Sequence, residues 1–150
     1  MRKRVSCITG IVLAFYFAFA TAEPIELGKY PKVFSAGYYK VTMLRLGKGE
    51  DTVLIKVDGI DNEFDGQIYL HKRICDNTRC TNYKYETKEI PGKSRWWTIQ
   101  SQRSWGNYDS MIFYPPGIDK KHDLGVDRRP DSFDPDAFYQ EYLGQKALRK

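Results

Sequence analysis

From Tyr38 to Leu46 the side chains alternate, with Tyr39, Val41 and Met43 on one face and Tyr38, Thr42, Leu44 and Leu46 on the other. A period of two marks a strand, and the apolar groups on both faces predict that it lies within a two-layered core. Gly47-Lys48-Gly49-Glu50 reads as a hairpin loop into a second strand, Thr52 to Val57, where Val53, Ile55 and Val57 alternate with Thr52, Leu54 and Lys56. Upstream, Glu23 to Ser35 contains Pro24 and Pro31, which suit an irregular or edge segment. Asp58 to Gly66 is an acidic connector to a third strand, in which Ile68, Leu70, Lys72 and Ile74 alternate with Tyr69, His71, Arg73 and Cys75.

Cys75 and Cys80 enclose Asp76-Asn77-Thr78-Arg79, four turn-forming residues between two strand-like runs. If the two cysteines face each other and pair, Leu70 lies opposite Tyr85, Lys72 opposite Tyr83 and Tyr69 opposite Glu86. Ile68, Leu70, Ile74, Tyr83 and Tyr85 then form a buried face, and His71, Arg73, Asn82, Lys84 and Glu86 a wet one. Ile90-Pro91-Gly92-Lys93 carries Pro and Gly where a type II turn needs them and leads into Ser94 to Arg103. Gly106-Asn107 fits a two-residue hairpin turn that sets Trp105 against Tyr108, Arg103 against Ser110 and Ser101 against Ile112. Six main strands with short links predict an all-β fold, an antiparallel meander forming a small sandwich or barrel.

The pattern changes after Pro115-Pro116-Gly117. Residues 118–133 are dense in charge and read as a linker. Asp134 then serves as a helix cap, Pro135 suits the first turn, and Phe133 is placed to staple onto Phe138, so residues 134–150 predict one C-terminal α-helix. Phe138, Tyr142 and Leu143 supply its apolar stripe, while Lys146, Arg149 and Lys150 complement its dipole. The β domain itself is assigned to residues 23–117.

Composition changes the picture mainly at the N-terminus. Of the 150 residues, 41% are hydrophobic and 29% charged, the balance of a single globular domain. Met1 to Arg4 is basic, Ile8 to Phe19 is apolar and Ala20-Thr21-Ala22 is a small-residue cleavage site, so residues 1–22 read as a secretory signal peptide cut after Ala22. Removing Arg2, Lys3 and Arg4 from the 24 bases leaves 21 against 19 acids. The apparent basicity is therefore largely the leader's, and it gives no argument for nucleic acid. A stripe of Lys72, Arg73, Arg79, Lys84, Lys88, Lys93, Arg95 and Arg103 is interrupted by Glu86, Glu89 and Asp109. The leader's apolar run is too short to span a bilayer, so the chain is expected not to cross a membrane and to be periplasmic or secreted. A disulfide between Cys75 and Cys80 agrees with that compartment.

Candidate chemistry is sparse. Asp61 to Ile68 imitates the first eight positions of a calcium loop, but position twelve is Lys72 and the flanks read as strands, so no metal site is assigned. No GxSxG elbow, HExxH motif or P-loop is present, and His71 and His122, the latter in a charged tract, are both placed in water. The chain is expected to be non-enzymatic and without cofactor. Trp96, Trp97, Trp105, Tyr108 and Tyr114 crowd the last hairpin, and adjacent tryptophans on a strand must point to opposite faces, one into the core and one out. An accessible aromatic anchor ringed by polar groups is what an interface hot spot needs; Trp105 with Tyr108, Arg103 and Asp109 fits that description. The sequence thus points to a small exported protein that binds a protein partner stoichiometrically, as a periplasmic immunity protein or enzyme inhibitor does. The alternative is a glycan-binding or envelope ligand-binding module using the same aromatic residues.

Overall fold

The computed structural model describes residues 24–103, 109–126 and 132–149. Their strands are β1 (Lys32–Ala36), β2 (Tyr39–Arg45), β3 (Thr52–Asp58), β4 (Ile68–Cys75), β5 (Tyr83–Thr87), β6 (Trp96–Arg103), β7 (Asp109–Phe113), β8 (His122–Asp123) and β9 (Gly125–Val126). A single helix, α1 (Pro135–Leu148), follows. Sequence neighbours β1 to β8 pair antiparallel in order, and β9 returns to the free edge of β1. The sheet is a meander rolled into a nearly closed barrel, which settles the choice between sandwich and barrel.

The alternation on β2 and β3 builds two cores, one on each side of the sheet. Val41, Met43, Val53, Ile55 and Val57 point inward with Phe34, Tyr85, Ile99 and Phe113 and fill the barrel. Leu44, Leu54 and Ile68 point outward and are covered by Phe138 and Tyr142 of α1. The helix starts as its sequence dictates: Asp134 accepts hydrogen bonds from the amides of Asp136 and Ala137, and Phe133 packs on Phe138 with ring centroids 5.2 Å apart. Leu143 is not part of the stripe, being 39% exposed.

The hairpin β4–β5 has a different register from the one its cysteines suggest. Cys75 and Cys80 sit at disulfide distance, with Cα atoms 4.8 Å apart. They are not a facing pair, because Cys75 lies opposite Tyr83 and Lys72 opposite Glu86. Cys80 belongs to the loop, where its φ of 50° turns the chain, and the bridge spans the loop diagonally. The odd offset swaps the faces of β5 relative to β4. Tyr85 therefore points into the barrel with His71, whereas Ile74 is 40% exposed and His71 only 1%.

The β6–β7 register also differs by one from the expected pairing: Ser101 faces Met111 and Arg103 faces Asp109. Five residues separate Arg103 from its partner Asp109, where the predicted pairing with Ser110 leaves six; the turn at Gly106-Asn107 lies outside the described residues. Trp105 and Tyr108 lie outside the described residues. The charged segment after Gly117 is more than a tether. Its two short strands pair with β7 and β1, and Leu124 between them packs on the barrel core. Among the described residues no helix is long and apolar enough to cross a membrane.

Candidate functional site

The first turn of β6 and the segment after β7 form an aromatic cleft at one end of the barrel. Its shape begins with a bulge. Tyr85 pairs with Ile99 but Glu86 pairs with Trp97, so Thr98 is an extra residue on β6. Without it Trp97 would share the inward face of Ile99; the bulge instead turns Trp97 outward. Trp97 is 39% exposed with the Lys84 ammonium 5.2 Å from its ring centroid, and Trp96 turns inward against Phe64, Tyr69 and Ile90. The adjacent tryptophans thus divide as the alternation requires.

Buried polar groups fix that bulge. The Nδ1–H of His71 donates to the Tyr69 carbonyl at 2.9 Å, which leaves Nε2 to accept from the Thr98 hydroxyl at 2.7 Å. Burial pushes the His71 imidazole down to about 4, and the Tyr69 bond and Glu89 charge oppose that only in part. It is a neutral ring acting as a brace, not a side chain on the wet face of the hairpin as the sequence suggested.

The opposite wall is Tyr114, held three ways to β6. Its amide donates to the Thr98 carbonyl at 2.8 Å, its hydroxyl to Gln100 Oε1 at 3.1 Å, and its carbonyl accepts from Trp96 Nε1 at 3.3 Å. The following turn is anchored by Asn62 Nδ2 donating to the Pro116 carbonyl at 3.0 Å. Gly117 there has a φ of +77°, and a Cβ would meet the Phe64 ring at 3.1 Å and the Asn62 amide at 3.0 Å. Only glycine fits both the backbone and the space.

Two cavities share Trp96 and Tyr114, one of about 300 Å³ bordered also by Lys93, Arg95 and Trp97, the other of about 320 Å³ bordered also by Ile118, Asp119, Lys120 and Lys121. The four cations are exposed and border the cavities in pairs, Lys93 and Arg95 at the first and Lys120 and Lys121 at the second; because both cavities adjoin Trp96 and Tyr114, together they are termed one trough with two lips. The Lys93 ammonium lies 5.8 Å from the Trp96 ring centroid, within reach of its π face. At the other mouth of the barrel a cavity of about 90 Å³ bordered by Met43, Val53 and the buried Tyr85 is too small for an organic ligand.

The residues proposed from sequence are distributed unevenly around this site. Trp96, Trp97 and Tyr114 are brought together. Arg103 and Asp109 are the last backbone pair of β6 and β7, at the far end of the hairpin; their side chains, like Trp105 and Tyr108, lie outside the described residues. β6 runs seven steps of roughly 3.3 Å from Trp96 at the cleft to Arg103 at its other end. His122 is only partly exposed: its ring lies 5.0 Å from that of Tyr39 and packs near Phe113, with Nε2 buried and unpartnered among the described residues. In the acidic connector, Asp65 accepts from the amides of Gly59 and Ile60, and Asn62 accepts from that of Phe64, so these side chains are turned onto their own loop. Sequence reading missed Lys120 and Lys121, whose charged surroundings concealed that the chain returns to the sheet beside them. Comparison with protein-family models, with curated proteins and with solved structures returns no match.

Proposed function

We propose that the protein is exported and acts by stoichiometric, non-catalytic binding of a protein partner, in the manner of an immunity protein or enzyme inhibitor. The contact surface is the Trp96–Tyr114 trough and the outward ring of Trp97. The carrying observation is the preset aromatic trough: three hydrogen bonds hold Tyr114, and a buried His71–Thr98 pair holds the bulge that turns Trp97 out. A wall fixed before binding loses little freedom on association, and Trp and Tyr are the residues that concentrate interface energy. The disulfide-spaced cysteines support passage through an oxidising compartment.

The test uses protein recovered from the exported fraction, with Glu23 expected as its first residue. Wild type should retain one partner in a one-to-one complex by native mass spectrometry. Trp97→Ala should weaken that complex by about 2 kcal/mol or more, the scale of a hot-spot truncation, with the melting midpoint unchanged. Binding confined to a sugar array would assign the trough to a glycan instead. Undiminished binding by Trp97→Ala, with loss on Trp105→Ala, would move the contact to the hairpin tip.

A further inference from the structure

We infer that the trough receives an acidic segment of that partner, with one flat apolar side chain laid against Trp96 and Tyr114 and carboxylates on either side of it. This rests on the reading of the trough as a protein-binding surface and specifies what it recognises. Three observations carry it.

The first is charge. Lys93 and Arg95 stand on one lip and Lys120 and Lys121 on the other, with Asp119 the sole acid bordering either cavity. No ion pair among the described residues engages any of the four, although Lys32, Lys56, Arg73, Lys84, Lys146 and Arg149 each have a carboxylate partner. Four cations beside one acid create a positive field across an apolar floor, to which a carboxylate-bearing chain is complementary. The second is hydrogen-bonding capacity. Trp96 Nε1 donates to the Tyr114 carbonyl and the Tyr114 hydroxyl to Gln100, so both neutral donors are already used and the side-chain donors left for a ligand are the four cations, against Asp119 as the one charged acceptor. A neutral sugar, whose hydroxyls donate as well as accept, would leave donors unmatched; carboxylates only accept. The third is size. Cavities of about 300 and 320 Å³ stand at the small end of ligand pockets, which run from roughly 300 to 1,000 Å³, so each has room for one side chain rather than an oligosaccharide.

The experiment is calorimetric titration of the full mature protein with a nine-residue peptide of glutamates around one central phenylalanine. Parallel arms use the same peptide with glutamine for glutamate, the same peptide with alanine for phenylalanine, polygalacturonate, and an oligothymidylate. The acidic phenylalanine peptide should bind one-to-one and weaken as salt is raised. Each peptide change should reduce affinity tenfold or more, as should the double variant Lys120→Glu with Lys121→Glu. Lys29→Glu with Lys48→Glu, exposed cations that border neither cavity of the trough, should change affinity less than twofold. Thermal melting of both double variants should match wild type, because all four residues are exposed. Equal binding of the glutamine peptide, or unaltered binding by the Lys120/Lys121 variant, overturns the inference. So does the absence of peptide binding at millimolar concentration, or binding of polygalacturonate or oligothymidylate alone. If the one-to-one complex survives while the acidic peptide fails, the partner reading stands and its acidity is wrong; if neither forms, both fall.

Discussion

His71 shows how one side chain couples the sheet to the site. Its ring is fully enclosed, donates to Tyr69 and accepts from Thr98, and Thr98 in turn receives the amide of Tyr114. Because its pKa falls from 6.5 to about 4 on folding, the unfolded chain takes up a proton across that window and the folded protein does not. The stability this neutral ring contributes is complete above the unfolded value and is lost as pH falls toward 4, a difference of about 3 kcal/mol for a group so enclosed. Glu89 adds to the acid sensitivity lower down. Burial would raise its pKa, but the Leu70 amide, Tyr142 and Lys146 together hold it below the usual carboxylate value. Urea unfolding followed against pH should show the loss. His71→Gln, which keeps one donor and one acceptor without titrating, should flatten the profile above pH 5; a wild-type profile already flat there would contradict the assignment. None of this was legible in the sequence, and the reason is specific. His71 was assigned to water by counting strand positions from the cysteines, and Cys80 lies in the loop, so the offset of three residues exchanged the faces of β5. Tyr85 paired with Arg73, not with Leu70, is the whole difference.

At the scale of elements, local signals were read well and distant ones were not. The cap at Asp134, the staple from Phe133 and the buried pair Phe138 and Tyr142 follow from the residues of α1 itself. What holds the helix to the sheet is nonlocal. β5 pairs with β4 only from Lys72 onward, so the first part of β4 presents backbone groups with no strand beside them. The helix and the β5–β6 link supply partners: Gln145 accepts from the Ile68 amide at 2.7 Å and donates to the Gly66 carbonyl at 3.1 Å. Arg149 donates to the Ile68 carbonyl at 2.9 Å, and Glu89 accepts from the Leu70 amide at 2.9 Å and from Tyr142 at 2.8 Å. Gln145 thus stands in for a missing strand residue. Gln145→Ala should leave a donor and an acceptor unpaired and lower unfolding stability by about 1–3 kcal/mol. Gln140→Ala, on the exposed face of the same helix, should change it by less than about 0.5 kcal/mol. Equal effects in denaturant titration would show that the seam between β4 and β5 is not sealed by the helix.

The whole barrel depends on a segment that composition marks as solvent-loving. His122 and Asp123 pair with β7, Gly125 and Val126 pair with β1, and Leu124 between them donates its amide to the Met111 carbonyl at 2.9 Å while its side chain packs on the core. One residue therefore joins the two edges of the sheet, and two-residue strands are too short for any hydrophobic period to reveal. The site depends on this closure, since Lys120 and Lys121 are delivered to their lip by the chain entering β8. Leu124→Asp would place a carboxylate against the barrel core or force the closing segment off the sheet, and the second costs less, because an uncompensated buried charge is the more expensive state. Hydrogen exchange distinguishes a general loss of stability from local opening. Amides of β1 and β7 should lose protection and the trough should lose affinity for its partner, while β2, β3, β4 and the helix on their outer face, which have their own apolar core in Leu44, Leu54 and Ile68, stay protected. Unchanged protection at Phe34 to Ala36 would mean that β9 does not hold that edge. Uniform loss through β3 would mean that the two cores form one cooperative unit, and that the outer layer under the helix has no stability of its own.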